Sequence, residues 1–432
     1  MVRKSGVLHG NLMAEFHIFG ASLAAVNTIR ILLDLGHKVY WQKMGERLLG
    51  HFGGMKLGED LIDIGMVFLE YGASDAANPE TSRFPETHKA LNSFFPAMEV
   101  KTAVVKSLYD GALVDDIIIA DNLELIKDQQ FTPSSLQHHP SEKWSNDYFE
   151  QQSYATVCSV MFPEFYDKYL RCFAEKITSL QLEDLSARYH RAAWLPLYHP
   201  ETITSTKRNL LSYPFHRPKQ KSIAAHMHHI IQHIESNPNC IVPDVPDDLS
   251  MQQRLSALKD VPRENIILCC RPEKMLATWK QEFDAHMIYQ RLNIGFFGAR
   301  KSNGVDIDCI NDLDHPSIFR VFIQDRNSMP DNSIISVEFS GEWENADQAN
   351  AIIQQYLTSL DIFEGIEPLK MMHGITGPGF PRIGAENQLI KLTKQIHERY
   401  HGCIIHGLPN GFTQTSMNAQ ILAATGIGNN ND

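Results

Sequence analysis

The sequence predicts an α/β fold in which a parallel-sheet domain is interrupted by an α+β domain containing a mostly antiparallel sheet. Three observations predict it. Near the start, Glu15 to Trp41 alternates an apolar run, a small-residue turn, a helical period and a second apolar run. Between positions 290 and 340, three short segments show strand patterning. Near the end, a helical period, a short strand and a glycine-containing loop lead into a last helix.

Phe16 to Phe19 reads as the first strand, and Gly20, Ala21 and Ser22 form the turn. The helical period then runs to Leu35, where Gly36 suits a left-handed cap. His37 to Trp41 is the second strand, so the segment is one β-α-β unit of Rossmann type. In such a unit the dinucleotide pyrophosphate approaches backbone N–H groups at the helix start, which demands small residues on the turn. Gly20, Ser22 and Ala25 stand at the three glycine positions of G-x-G-x-x-G. The ribose-binding carboxylate, expected roughly 20 residues on, is replaced by Gln42. A plain structural β-α-β unit stays open on these residues alone.

His51-Phe52-Gly53-Gly54 and then Asp63-Ile64-Gly65-Met66 follow the second strand. This order resembles the FAD-binding GG-doublet family, which includes amine oxidases, phytoene desaturases, protoporphyrinogen oxidase and UDP-galactopyranose mutase. The resemblance implies that Gly53 and Gly54 let the backbone pass close to a flavin. Met55, with Lys56 beside it, stands where that family often has arginine. An ordinary turn at Gly53-Gly54 is the alternative.

Length and charge bound the function. A chain of 432 residues is expected to hold two domains. Its formal charge of −12 argues against general nucleic-acid or anionic-membrane binding. No apolar run reaches the roughly 18 residues of a membrane span, and the first residues lack the apolar core of a signal peptide. Seven scattered cysteines without a C-x-x-C motif point to reduced thiols and a cytoplasmic location. Cys269-Cys270 ends an apolar run, Asn265 to Cys270, read as a buried strand.

From Gly72 to about position 140 the chain reads as loop-rich, with a strand at Ala112 to Ala120. Positions 143 to 185 are helical in pattern, and their aromatics, among them Phe165, Tyr166 and Tyr169, read as core. Arg188 to Lys221 is basic and aromatic with little helical period. Arg188, Arg191, Tyr198, His199, Arg217 and Lys219 are candidates for gripping an anionic substrate, against the alternative of a solvated basic loop. By resemblance, Pro218 to Lys221 is the turn that leads back to the cofactor domain. The helix Ser222 to Ile234 carries His226, His228, His229 and His233, and an exposed histidine-rich face is expected rather than a metal site. Cys240 to Val242 reads as a strand, and the resemblance implies that its backbone, Val242 included, contacts the adenosine side of FAD.

Asn293 to Gly298, Ile318 to Gln324 and Ser333 to Ser340 read as strands. In the third, Ile335, Val337 and Phe339 share one face and Ser336 and Glu338 the other. Arg320 and Glu338 either point into a substrate site or form a cross-strand ion pair. A helix from Ala346 to Leu360 and an irregular stretch from Gly374 to Gly384 follow. Then come a helix from Glu386 to Tyr400, a strand from Gly402 to His406, and a loop into the last helix. The resemblance implies that this last helix points its N-terminus at the flavin, with Gly407 as the strand-end glycine and Thr415, Ser416, Met417 and Asn418 at the helix start. Leu408 stands where the family has an acidic residue.

The resemblance divides the chain into a discontinuous FAD-binding domain, 14–75, 214–280 and 385–432, and a substrate domain, 76–213 and 281–384. It implies FAD held at Gly20, Ala21, Ser22, Leu23, Gln42, Gly53, Gly54, Met55, Lys56, Val242, Gly407, Ser416, Met417 and Asn418. The substrate would meet Arg191, Tyr198, His199, Lys219 and Arg320. The activity expected is that of an FAD-dependent oxidoreductase acting on a small anionic or sugar-linked metabolite in a biosynthetic pathway. A non-redox sugar mutase and a flavin-free binding subunit are the alternatives, and a homo-oligomer or a pathway partner stays open.

Overall fold

The structure is a computed structural model. It describes residues 13–44, 48–71, 85–118, 151–161, 163–187, 195–196, 215–245, 249–269, 287–302, 304–325, 332–341 and 345–384, with positions 391, 394, 398, 403–404 and 416–425.

The chain begins with β1 (Glu15–Phe19), α1 (Leu23–Asp34) and β2 (Lys38–Gln42). Ser22 starts the helix: its extended backbone and its Oγ, which accepts the Ala25 N–H at 3.3 Å, satisfy one of the first-turn donors. The far end closes as a Schellman motif. His37 N donates to Leu32 O at 3.0 Å and Gly36 N to Leu33 O at 2.9 Å, with Gly36 at φ +82°. Leu23 to Ile29 is buried without a break, because α1 is covered on more than one side.

Two hairpin strands, β3 (Met55–Leu57) and β4 (Asp60–Ile62), follow, then β5 (Leu69–Glu70), α2 (Pro85–Phe94), β6 (Val100–Thr102), β7 (Val105–Tyr109) and β8 (Ala112–Asp115). Helices α3 (Tyr154–Met161) and α4 (Arg171–Thr178) precede β9 (Phe215–Pro218), α5 (Ile223–Ser236), β10 (Cys240–Ile241), α6 (Met251–Ser256) and β11 (Ile266–Leu268). The rest is β12 (Met287–Lys301), β13 (Cys309–Asp312), β14 (Ile318–Asp325), β15 (Ser333–Phe339), α7 (Ala346–Ser359), β16 (Phe363–Pro381), β17 (Cys403–Ile404) and α8 (Ser416–Ala423).

One sheet is entirely parallel, in the order β10-β2-β1-β11-β17. From β1 the chain moves outward through β2 to β10, while β11 and β17 extend the opposite side. The order therefore reverses between β1 and β11, and the crevice at the carboxyl ends of those two strands is where such sheets bind ligands. The apolar core of this half joins Ile18, Leu23 and Ile29 to Met227 and Ile231 of α5 and to Met417 and Ile421 of α8.

The larger sheet has the order β16-β12-β15-β14-β13-β7-β8, antiparallel except where β13 runs parallel to β7. Ile335, Val337 and Phe339 pack toward α7 with Ile353 and Leu357. On the opposite face Ser336 and Glu338 are buried too, at 0% and 6% exposure, so polarity along β15 does not mark a wet face. Phe165, Tyr166 and Tyr169 lie in the core beneath that face, as their spacing predicts.

The stretch from Gly374, expected to be irregular, instead belongs to the 19-residue β16, which pairs antiparallel with β12. The pairing breaks register four times, and β16 is the edge of the sheet. Prolines and glycines are tolerated at an edge and at bulges because no second neighbour needs their N–H groups. The expected helix Glu386 to Tyr400 lies almost wholly outside the described residues. Among the described residues no helix is long and apolar enough to cross a membrane.

Candidate functional site

The switch point between β1 and β11 is built from Gly20, Ser22 and Cys269. Cys269 N donates to Phe19 O at 2.7 Å, and Ser22 Oγ donates to Cys269 O at 3.0 Å. A Cβ on Gly20 would stand 2.4 Å from Cys269 O, and Gly20 has φ +128°. That glycine is thus required by the neighbouring strand end as well as by any ligand. Gly20 N donates to Gln42 O at 3.1 Å, and Trp41 Nε1 donates to Gly20 O at 2.9 Å. The turn is held rigidly over the carboxyl end of β2.

Gln42 sits at that end, 8% exposed, and its side-chain Oε1 is buried with no hydrogen-bond donor among the described residues. A buried amide oxygen left unpaired costs about 1–3 kcal/mol, so the position is suited to a hydroxyl from outside the chain. Gln42 is therefore neutral but still able to accept.

The Gly53-Gly54 turn passes against α5. A Cβ on Gly54, at φ +63°, would lie 2.3 Å from Ala224 Cβ and 2.4 Å from Ile62 O, and one on Gly53 would lie 2.5 Å from Leu48 O. His228 Nε2 bonds Gly53 O at 2.9 Å. Of the two residues after the pair, Met55 is buried and Lys56 exposed.

Asp63 to Met66 straps the two sheets together, a role the sequence did not reveal. The Asp63 carboxylate accepts from Ile223 N at 3.1 Å and Ala224 N at 2.8 Å in the first turn of α5. Its own backbone exchanges bonds with Gln324 of β14, Asp63 N to Oε1 at 2.8 Å and Nε2 to Asp63 O at 3.0 Å. Burial pushes the Asp63 carboxyl up to about 6, against the two backbone donors and Arg217, which lower it. Three residues on, Met66 N donates to Glu338 Oε1 at 2.8 Å, and a Cβ on Gly65 would stand 2.2 Å from that same oxygen.

Arg320 and Glu338 are directly opposite in the β14–β15 register and pair at 3.3 Å. Arg320 Nε also donates to Asn311 Oδ1 at 3.2 Å, and Asn311 Nδ2 to Asp116 Oδ1 at 3.1 Å. The remaining Arg320 nitrogen, Nη2, is buried without an acceptor among the described residues. This polar line across β13, β14 and β15 beside Met66 includes Asn311 and Asp116, which no motif in the sequence marks.

The first and last helices meet: Asn27 Nδ2 of α1 donates to Ile421 O of α8 at 2.8 Å, and Met417 is buried against the same core. Val242 follows β10 and is 44% exposed. Lys219 is exposed and pairs with Glu99 at 3.2 Å. Arg191, Tyr198, His199 and Gly407, and the side chains of Ser416 and Asn418, lie outside the described residues. The α5 histidines form no metal cluster among the described residues.

No family model matches the sequence, and no curated protein does. Solved structures resemble it over almost its whole length. A reduced UDP-galactopyranose mutase has TM-score 0.62 at 12% identity, covering 96% of this chain and 93% of that one. Cyclohexylamine oxidase from Brevibacterium oxydans IH-35A has TM-score 0.56 at 10% identity, with 95% and 97% covered. A CLA-producing fatty acid isomerase from P. acnes has TM-score 0.54 at 10% identity, with 97% and 98% covered. The fold is that of the GG-doublet flavoproteins. Within this fold, the parallel sheet is the Rossmann-type part, and the larger mixed sheet stands beside it.

Proposed function

We propose that the chain is an FAD-dependent oxidoreductase-like enzyme acting on a small anionic or sugar-linked metabolite. The observation that carries this reading is the buried Oε1 of Gln42, unpaired among the described residues, next to the Gly20 turn at the point where the strand order reverses. The residues fit the group. The backbone from Gly20 to Leu23 would receive the pyrophosphate and Gln42 a ribose hydroxyl, and α8, bonded to α1 through Asn27, closes that half of the molecule. When bound, the flavin would supply hydride-transfer chemistry that no protein side chain offers.

The chain's own part is orientation and exclusion of water. Glu338 fixes the backbone at Met66 and is fixed in turn by Arg320, whose Nη2, without an acceptor among the described residues, is a donor for an anionic oxygen of the substrate. The test is direct. Purified protein is denatured and any released chromophore identified by mass, with absorbance recorded beforehand. Yellow protein releasing FAD supports the reading. Colourless protein that does not respond to added FAD overturns it in favour of a flavin-free binding subunit.

A further inference from the structure

The histidine-rich face of α5 is exposed, at His229 and His233 among others, yet one of its members is engaged. His228 Nε2 lies 2.9 Å from Gly53 O, 175 positions away in sequence. A carbonyl oxygen only accepts, so Nε2 carries the proton and donates it. One helical turn earlier, Ala224 meets the next residue: a Cβ on Gly54 would stand 2.3 Å from Ala224 Cβ. Positions four apart share a helix face, so a small residue and a donor on one face of α5 grip Gly53 and Gly54 together.

The grip is aimed from the start of the helix. Ser222 Oγ accepts the Ala225 N–H at 3.1 Å and donates to Leu61 O at 2.6 Å, while Asp63 holds the N–H groups of Ile223 and Ala224. These bonds fix the rotation of α5 about its axis, and with it the direction of His228.

On its other side the glycine pair leads to the Gly20 turn. A Cβ on Gly53 would stand 2.5 Å from Leu48 O, and Leu49 N donates to Ala21 O at 2.7 Å. Leu49 itself is held at φ +63°, a conformation leucine adopts at a cost. Segment 48–54 is therefore pressed between α5 and the small-residue turn that opens α1, where the strand order reverses.

We propose that His228 is a positioning residue for the cofactor: by holding Gly53 O it keeps segment 48–54 against the turn at Gly20, Ala21 and Ser22, and so sets the shape of the phosphate cradle. The proposal rests on the flavin reading. His228 acts through the Gly53 carbonyl.

Titration of the full chain, stripped of any bound flavin, with FAD and followed by flavin fluorescence tests it. His228→Ala is expected to weaken binding roughly fivefold, the worth of one net hydrogen bond. His228→Gln, whose amide nitrogen reaches about as far as Nε2, is expected to restore it, and His229→Ala to bind as the parent does. Well below the melting temperature the unfolded fraction is negligible, so a purely structural His228 would leave the affinity unchanged. Because His228 is exposed, its replacement leaves the chain folded, which circular dichroism verifies. Equal affinity in His228→Ala and the parent, or a loss that His228→Gln does not restore, would overturn the role of His228 and leave the flavin reading standing. No binding of FAD by the parent would overturn the flavin reading and this proposal with it.

Discussion

Asn27 of α1 reaches Ile421 of α8 with a 2.8 Å hydrogen bond between residues 394 positions apart. The donor is buried and Ile421 is 0% exposed, so no water replaces the partner if either side is lost. Asn27 Oδ1 is meanwhile held by Arg30, at 3.1 Å from Nη2. This one side chain ties the first helix to the last.

Replacing it tests that tie. Asn27→Leu keeps the branched shape but removes the stronger donor to Ile421 O, leaving the Ala424 N–H at 3.3 Å, and a loss of about 1 kcal/mol is expected. Urea denaturation of the two proteins measures it. If α8 helps enclose the cofactor half, flavin content per mole falls together with stability.

Glycine replacements should separate sharply by position. Gly54→Ala places a Cβ 2.3 Å from Ala224 and forces φ +63° on alanine, with backbone on the other side at Ile62 O. A loss above about 3 kcal/mol or insoluble protein is expected. Gly36→Ala has nothing within 4 Å and only the φ of +82° to overcome, so about 1 kcal/mol is expected. Thermal melts of both variants decide whether close approach or backbone conformation dominates.

Gln42 is the position at which cofactor and scaffold can be told apart. Gln42→Leu removes the unpaired buried oxygen, so the apoprotein is expected to hold or gain stability by up to about 1 kcal/mol. Affinity for FAD is expected to fall roughly tenfold, the equivalent of one hydrogen bond. Equilibrium titration of the apoprotein with FAD is the measurement, and unchanged affinity would remove Gln42 from the cradle.

Asp63 gives a pH signature. Its carboxyl is raised by burial from 3.8 to about 6 in the folded chain, so the native state holds the proton more tightly than the unfolded one. The associated stability is fully present below about pH 3.8 and is lost as pH rises through about 6. The whole span amounts to roughly 3 kcal/mol at 1.36 kcal/mol per unit. Asp63→Asn lacks this proton, so its stability relative to the parent should improve between pH 4.5 and pH 7. Parallel curves for the two proteins would mean that Asp63 does not titrate in that range.

The β-α-β unit was legible because its determinants are local. Ser22 caps, Gly36 ends the helix and apolar runs flank it, and each of these acts within a few residues. The histidine-rich helix and the Ile335–Val337–Phe339 face were legible for the same reason. β16 was not, since prolines and glycines signal irregularity until a strand lies at an edge where they are harmless.

By itself, then, the sequence determined the order of the elements, the apolar faces and the small-residue turn at Gly20. Tertiary structure alone decided that Asp63 caps a helix 160 residues away, that Glu338 receives the Met66 N–H, and that Arg217 pairs with Asp308 and Asp325. The reason is one of range: helical and strand periods are written in neighbours, whereas a buried polar group is defined by the partner that burial brings to it.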